Sequence, residues 1–295
     1  MADVLLLNFH YINIIIGIIV VGAFGAFSIK TKIVDISGLI SGFIIGFGVW
    51  FFFGWPFFVV ILAFHLSAAF FTKFKYERKA KSGLAQEKGG ARGWSNVFAN
   101  GGVPLIAAII GGLLDFILGA GFILITTLFL FMFLGGIATM TADTIATETG
   151  LLAKSKPRLI TDLRKEVEPG TSGGVTWLGE GGALIGSTII GMVAWIFYIL
   201  NLTPFTFRFF GVEIIIATVA GGMIGCLIDS IIGATVQGIF ECKGECGKIT
   251  EKSKHCGVPS KHLRGIRLLD NNMVNFTAAA GGAISAMLIG LLLVI

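Results

Sequence analysis

Residues 128–150 read LFLFMFLGGIATMTADTIATETG, an apolar run that closes with two acidic residues. Its first half has the composition of a membrane span, yet Asp143 and Glu148 follow without a break. A charged side chain at the centre of a bilayer costs at least about 2.5 kcal/mol, so an acid in such a segment is by default a candidate functional residue. This stretch therefore predicts a membrane helix that carries a site.

The rest of the chain has the composition of a polytopic membrane protein. Of its 295 residues, 55% are hydrophobic and 13% are charged, whereas about 25% are charged in a typical soluble domain. We predict an all-α membrane helix bundle that forms one integral membrane domain, residues 1–295, with about eight spans. The predicted spans are approximately residues 11–27, 34–53, 55–72, 96–116, 121–152, 175–200, 212–237 and 273–295. The fifth is so long that we expect it to be tilted, broken or partly outside the bilayer.

The topology follows from the basic residues, because four alternate connections carry 21 of the 22 lysines and arginines. These connections are residues 28–35 and three long loops at about 73–95, 151–174 and 238–271. Basic residues accumulate on the cytoplasmic side, so we expect these loops in the cytoplasm and both termini outside. The net charge of +5 then reflects topology, and we expect no nucleic-acid partner. We expect an integral protein of the cell membrane whose site faces the cytoplasm.

A second acid lies in the seventh span, in a row of residues spaced four apart along one helix face. The row consists of Gly221, Gly225, Asp229, Gly233 and Gln237. Asp229 and Asp143 each lie roughly 12–14 Å inside the cytoplasmic end of their helix, at a rise of 1.5 Å per residue. The two acids could therefore share a Mg²⁺ ion, which binds carboxylates together with substrate phosphates. The alternative is a small-residue packing face that tolerates one acid.

Glu148 lies five residues after Asp143, which is about 140° around an ideal helix. Asp143 and Glu148 should therefore not coordinate the same ion unless the helix is distorted. We nevertheless keep Asp143, Glu148 and Asp229 as the candidate catalytic residues and magnesium ligands. The alternatives are an Asp143 that pairs with a neighbouring helix and a Glu148 that is solvated near the interface.

Candidate phosphate ligands surround these acids at the predicted cytoplasmic face. Lysine, arginine and amide side chains and the backbone N–H groups of a glycine-rich loop can bind phosphate oxygens. The alternatives are basic loops that only contact anionic lipid, and asparagines that cap or cross-link helices. The candidates are Lys88, Arg92, Asn96, Asn100, Thr144, Lys156, Arg158, Lys165, Glu168, Gly170, Thr171, Ser172, Gly173, Gly174, Gln237, Asn271, Asn272 and Asn275.

The third long loop contains Cys242, Cys246, His255 and Cys256, which could form a structural zinc site. The spacing is not the usual Cys-x-x-Cys pair, so free thiols or a disulfide are the alternatives. A disulfide is less favoured in a reducing cytoplasm.

Several of these segments, in this order, resemble an integral membrane family that contains phytyl-phosphate kinase and transmembrane protein 19. The matching residues are 88–102, 142–150, 156–161, 168–174, 229–230, 233–237, 255–257, 271–272 and 274–275. Dolichol kinases and CTP-dependent phosphatidate cytidylyltransferases are similar at a greater distance. The resemblance implies CTP as phosphoryl donor, Mg²⁺ as cofactor and an isoprenoid monophosphate of the phytyl or geranylgeranyl type as acceptor.

The sequence thus predicts a CTP-dependent prenyl-phosphate kinase at the cytoplasmic face of the membrane. Its expected partners are the lipid bilayer, the isoprenoid monophosphate and a nucleoside triphosphate, and a homo-oligomer is left open. The alternative enzyme is a cytidylyltransferase that makes a CDP-lipid. The alternative from another class is a small-solute transporter, which intramembrane acids and glycine-rich helices would also suit.

Overall fold

The computed structural model describes residues 2–81, 91–118, 123–203, 211–244 and 246–295. Eight of its helices are long and apolar enough to cross a membrane, which confirms the predicted membrane bundle. The helices are α1 Ala2–Lys30, α2 Ile36–Phe53, α3 Trp55–Lys73, α4 Tyr76–Lys81, α5 Trp94–Leu118, α6 Ile123–Gly150, α7 Trp177–Ile199, α8 Val212–Thr235 and α9 Asn271–Val294. The short α4 is the one that does not span.

Several helices begin where a side-chain oxygen accepts a hydrogen bond from an N–H group of the first turn. Asp35 accepts from Gly38, Thr176 from Gly179 and Asp270 from Met273, each at 3.0 Å. The first N–H groups of a helix have no partner within the helix, so such caps fix where it starts.

The helix α6 is the central element of the bundle. It packs against α3, α5, α7, α8 and α9, and 67% of its most apolar window is buried, against at most 39% in any other span. Its 28 residues form one unbroken helix, about 42 Å long at 1.5 Å per residue. That exceeds the roughly 30 Å hydrocarbon core, so the ends of α6 reach beyond it.

Small residues let α8 and α9 approach α6 closely. A Cβ atom at Gly225 of α8 or Gly282 of α9 would collide with the side chain of Thr139, and one at Gly221 would collide with Ala286. Gly221 and Gly225 therefore lie on a packing face of α8, and Gly225 and Thr139 lie one helical turn before Asp229 and Asp143, respectively.

The long loops are more structured than the sequence indicated, since two of them contain small antiparallel sheets. The first has strands β1 Arg158–Leu159, β2 Asp162–Glu166 and β3 Gly174–Val175 in the order β2-β1-β3. The second has β4 Ile239–Cys242, β5 Ile249–Thr250, β6 Lys254–His255 and β7 Val258–Arg264 in the order β5-β4-β7-β6. The helical prediction thus holds for the membrane part, and the loops add β structure.

Candidate functional site

The basic connections meet at one end of the bundle, which we call the loop end. Val34 before α2 forms a bridge with Arg92 before α5, and Lys79 of α4 pairs with Glu148 at the end of α6. The loop after α6 contacts the loop after α8 through Ser172 and Glu251. The described residues that the sequence predicted for the site lie in the helix ends and loops that converge here.

Three carboxylates interact electrostatically at the loop end. Asp143 of α6 and Asp229 of α8 lie close enough to repel each other, in line with their predicted common depth. Glu251, in the turn between β5 and β6, repels both and accepts a hydrogen bond from Ser172. Arg92 supplies the opposing positive charge next to Asp143. This arrangement is an acidic site on which the positive charge of Arg92 also acts.

Glu251 was missed by the sequence analysis. It lies in a loop rich in lysine and arginine, and no motif connects it with an acid in a distant span. Only the fold of the third long loop, which places the β5–β6 turn against Ser172, reveals its position.

The acidic site has a property that fits a bound cation. The Oδ2 atom of Asp229 is buried and has no hydrogen-bond partner in the part of the chain that the structure describes. A buried carboxyl oxygen without a hydrogen-bond partner is costly, and a bound cation would remove that cost. The acids do not form a set of three ligand atoms within 4.8 Å of one another, as far as the described residues extend. Substrate phosphate and water would therefore complete a Mg²⁺ shell, as is usual for this ion.

Arg92 is held in place by the connection between α1 and α2. Its N–H group donates to the carbonyl of Ile33 at 3.0 Å, and its carbonyl accepts from the N–H group of Asp35 at 3.1 Å. Gly38 leaves room for this backbone, because a Cβ atom there would lie 2.2 Å from the Arg92 carbonyl oxygen. Burial lowers the pKa of the Arg92 guanidinium, and the negative charges of Glu148 and Asp143 oppose that shift. The chain therefore fixes the backbone of a cationic residue whose charge interacts with that of Asp143.

Glu148 has a partner that the sequence did not suggest. It forms a buried ion pair with Lys79, and the two side chains are 3% and 2% exposed. The Lys79 ammonium group also donates to the carbonyls of Phe71 at 3.0 Å and Thr72 at 2.9 Å. The pair ties the end of α6 to the end of α3. A role of Glu148 as a magnesium ligand stays a prediction.

Three of the predicted amides form a chain of hydrogen bonds between α5 and α9. The Nδ2 atom of Asn275 donates to Oδ1 of Asn100 at 2.9 Å, and Nδ2 of Asn100 donates to Oδ1 of Asn96 at 3.3 Å. Asn100 and Asn275 are buried, so cross-linking of helices accounts for both. Asn271 and Asn272 lie in the first turn of α9, the former exposed and the latter half-buried.

The basic residues of the second long loop lie further out. Lys156 pairs with Glu168 at 2.9 Å, and these side chains are 57% and 78% exposed. Arg158 donates to the carbonyl of Leu163 at 2.8 Å, and Lys165 is exposed. Lys88, another predicted ligand, lies outside the described residues.

The glycine-rich loop 170–174 is folded back on itself. The N–H groups of Thr171 and Gly174 donate to the carbonyls of Glu168 and Thr171, at 3.1 and 2.9 Å. Two of the five N–H groups predicted to bind phosphate are thus already bonded within the loop. A Cβ atom at Gly173 would lie 2.5 Å from the Cβ atom of Ala234, so the loop docks tightly on the end of α8.

Two further predicted side chains lie buried near this end of the bundle. Thr144 is 8% exposed and follows Asp143 in α6. Gln237 is 2% exposed, and its Nε2 atom has no hydrogen-bond partner among the described residues. The Gln237 amide therefore retains a donor that a ligand could use.

A large cavity, which we call the apolar chamber, lies between α1, α2, α3 and α5. The free space between these helices, together with the part that opens to the surroundings, is about 790 Å³, and most of its lining is aliphatic or aromatic. The polar side chains in its wall are Ser28, His65, Arg92, Asn96 and Asn100. Arg92 therefore borders both the chamber and the carboxylate group.

A smaller cavity of about 350 Å³, the basic vestibule, shares Phe64, His65 and Arg92 with the chamber. Lys32 and Lys73 also line it. The sequence analysis did not select His65, although an ionisable residue within a span is itself a signal. The chamber as a whole could not be inferred, because it is formed by helix faces without a motif.

The four predicted zinc ligands converge in the loop between α8 and α9. The Sγ atoms of Cys246 and Cys256 are 3.4 Å apart, and they lie 3.4 and 3.2 Å from Nδ1 of His255. The Sγ atom of Cys242 completes a group whose ligand atoms all lie within 4.8 Å of one another. Hydrogen bonds, first from the backbone of Lys248 and then from the side chains of Cys242 and Cys256, lower the pKa of the Cys246 thiol to about 6.

Residues 19–291 match the sequence profile of a family described as integral membrane protein DUF92. The chain belongs to this family. It is 32% identical over 256 residues to Protein PGR of Arabidopsis thaliana, which covers 85% of this chain and 87% of that protein. It is 30% identical over 234 residues to an uncharacterized membrane protein of Methanocaldococcus jannaschii, covering 79% of this chain and 85% of the relative. No solved structure matches this DUF92 chain.

Proposed function

We propose that this DUF92 protein transfers a phosphoryl group from CTP to an isoprenoid monophosphate, at a loop end that faces the cytoplasm. The observation that carries the proposal is that Arg92 lines the apolar chamber and that its charge also acts on Asp143. A lipid with an anionic head group needs an apolar cavity that ends at a cation. Phosphoryl transfer also needs carboxylates that can hold a metal ion next to the phosphates.

The apolar chamber suits the isoprenoid chain. Ligand cavities are mostly apolar and carry a few polar groups that fix the ligand. The chamber has this character, since most of its lining is apolar and a few polar side chains border it. Its Arg92 and Asn96 would bind the phosphate of the lipid, while Lys32 and Lys73 of the vestibule would attract phosphate from solution.

The acidic site suits the nucleotide phosphates. Asp143 and Asp229 would hold Mg²⁺, and Glu251 adds negative charge that favours a cation there. When bound, Mg²⁺ neutralises phosphate charge. An oxygen of the lipid phosphate attacks the γ-phosphorus of CTP, a new P–O–P bond forms, and CDP leaves. The attacking group is an anion, so the chain needs no strong base and contributes mainly position and charge.

The choice of CTP rests on the resemblance to phytyl-phosphate kinases in residues 88–102 and 142–150. The cytoplasmic orientation rests on the distribution of basic residues. The unbroken helix α6 argues against a transporter. Transporters commonly bind their substrate with discontinuous helices near the midplane of the membrane.

The test is a product analysis with protein in lipid nanodiscs, Mg²⁺, labelled CTP and geranylgeranyl phosphate. Formation of CDP and geranylgeranyl diphosphate in equal amounts is the expected result. Pyrophosphate together with a CDP-lipid would instead identify a cytidylyltransferase. No nucleotide turnover, with solute flux in proteoliposomes, would identify a transporter.

A further inference from the structure

The loop between α8 and α9 brings four metal-binding side chains to one point, outside the carboxylate group described above. Cys242 ends β4, Cys246 lies in the turn before β5, and His255 and Cys256 lie at the turn between β6 and β7. We infer that these four residues hold one structural zinc ion, which closes the segment 239–264 into a small folded lobe.

The distances fit this ion. Zinc binds sulfur at about 2.3 Å and nitrogen at about 2.0–2.1 Å, so two ligand atoms of a tetrahedral site lie roughly 3.6–3.8 Å apart. The measured separations among Cys246, Cys256 and His255 are 3.2–3.4 Å. Small outward shifts of flexible side chains would therefore admit the ion. Three thiolates and one imidazole form a common structural zinc set.

The backbone around the cluster is shaped to present sulfur atoms. Gly247 and Gly257, each directly after a cysteine, have φ angles of +55° and +78°, and Cys256 itself has φ +51°. A positive φ at a non-glycine residue persists only where the surroundings fix it. The N–H group of Gly244 donates to Sγ of Cys242 at 3.3 Å, a contact that favours a thiolate.

The lobe has little else to hold it together. Strands β5 and β6 have two residues each, and Ile239, Phe240 and Cys242 are the lobe's buried hydrophobic residues within the described range. A segment of this size rarely buries enough apolar surface to fold without a metal or a disulfide. The four cysteines of the chain are free in the structure, so a metal ion is the remaining means of stabilising the lobe.

The zinc ion would also position Glu251. This residue lies between the second and third ligands, and it accepts a hydrogen bond from Ser172 of the neighbouring loop. Fixing both ends of the 246–255 segment fixes the turn that carries the Glu251 carboxylate. The zinc site does not depend on the proposed kinase activity. Only the contribution of Glu251 to that activity rests on the proposed function.

The first test is the metal content of the full chain, purified in detergent and measured by mass spectrometry of the elements. The expected result is about one zinc ion per chain. Cys246→Ser should lose most of the zinc, whereas Cys226→Ser should keep it, because Cys226 is buried in α8 away from the cluster.

Three outcomes would overturn the inference. They are four titratable thiols without metal, a Cys246–Cys256 disulfide in protein kept under reducing agent, and iron in place of zinc. If Cys246→Ser does not fold, cobalt exchange in the wild-type protein tests the zinc site instead. Exchange of its metal for Co²⁺ should give the absorption bands of tetrahedral cobalt with thiolate ligands, and their absence would contradict the site.

The second test addresses Glu251 by amide hydrogen exchange before and after zinc removal with a chelator. We expect faster exchange in residues 239–264 and also in residues 170–174. Faster exchange in the lobe alone would refute the positioning of Glu251 and leave the zinc site standing.

Discussion

The buried pair of Lys79 and Glu148 offers a quantitative test of how the loop end is held together. In Lys79→Met, the Glu148 carboxylate remains 3% exposed and loses the ammonium group that neutralises it. Breaking a buried pair from one side costs about 3–5 kcal/mol, because a buried charge is left uncompensated. The lost bonds to the Phe71 and Thr72 carbonyls act in the same direction.

The assay is thermal unfolding in detergent, followed by circular dichroism. At roughly 2–4 °C per kcal/mol for a chain of this size class, the variant should unfold about 6–20 °C earlier. The double variant Lys79→Met/Glu148→Gln should recover part of this loss, because it also removes the buried negative charge that Lys79 balances.

The exposed pair of Lys156 and Glu168 is the matched control, since both side chains are largely in solvent. Lys156→Met should leave the unfolding temperature unchanged, because water and salt screen such a pair. Equal unfolding temperatures for wild type and Lys79→Met would refute the reasoning that this ion pair anchors α6 to α3.

Four glycine substitutions at three positions, one of them a control on α7, and one aspartate-to-asparagine variant probe the site. Gly42→Leu should raise the KM for geranylgeranyl phosphate, because the new side chain projects into the apolar chamber and its Cβ meets no atom within 4 Å. Gly181→Leu on α7 is the control, since a Cβ atom there also meets no atom within 4 Å. An equal rise in KM for Gly181→Leu would contradict the assignment of the chamber to the isoprenoid chain. Gly38→Ala should lower kcat/KM at least about tenfold by displacing the Arg92 carbonyl, whereas equal activity of Gly38→Ala and Gly42→Ala would refute the anchoring of Arg92. Asp229→Asn should raise the Mg²⁺ concentration for half-maximal activity, and an unchanged requirement would remove Asp229 from the metal site.

The sequence predicted those parts of the site that a single helix or a charge count can encode. Four-residue spacing placed Asp229 on one helix face, and the count from each helix end placed it at the depth of Asp143. Both deductions need only the geometry of one helix. The membrane bundle was predictable for a similar reason, since a span is recorded in a local run of apolar residues.

The remaining parts depend on contacts between residues far apart in the sequence. Lys79 pairs with Glu148 across 69 positions, and nothing local separates this lysine from the other basic residues of its loop. Glu251 reaches the acidic site only through a sheet with two-residue strands, which are too short to show an alternating pattern. The chamber arises where the faces of four helices fail to fill the space between them.

The central claim is that Asp143 belongs to a phosphoryl-transfer site, and the most direct measurement is the initial rate of CDP release with geranylgeranyl phosphate in nanodiscs. Asp143→Asn should lower this rate by about 100-fold or more while the protein keeps its fold, since phosphoryl transfer depends on charge placed at the phosphates. Asp115→Asn, at the opposite end of α5, should keep the wild-type rate. A wild-type rate of CDP release in Asp143→Asn would contradict the account.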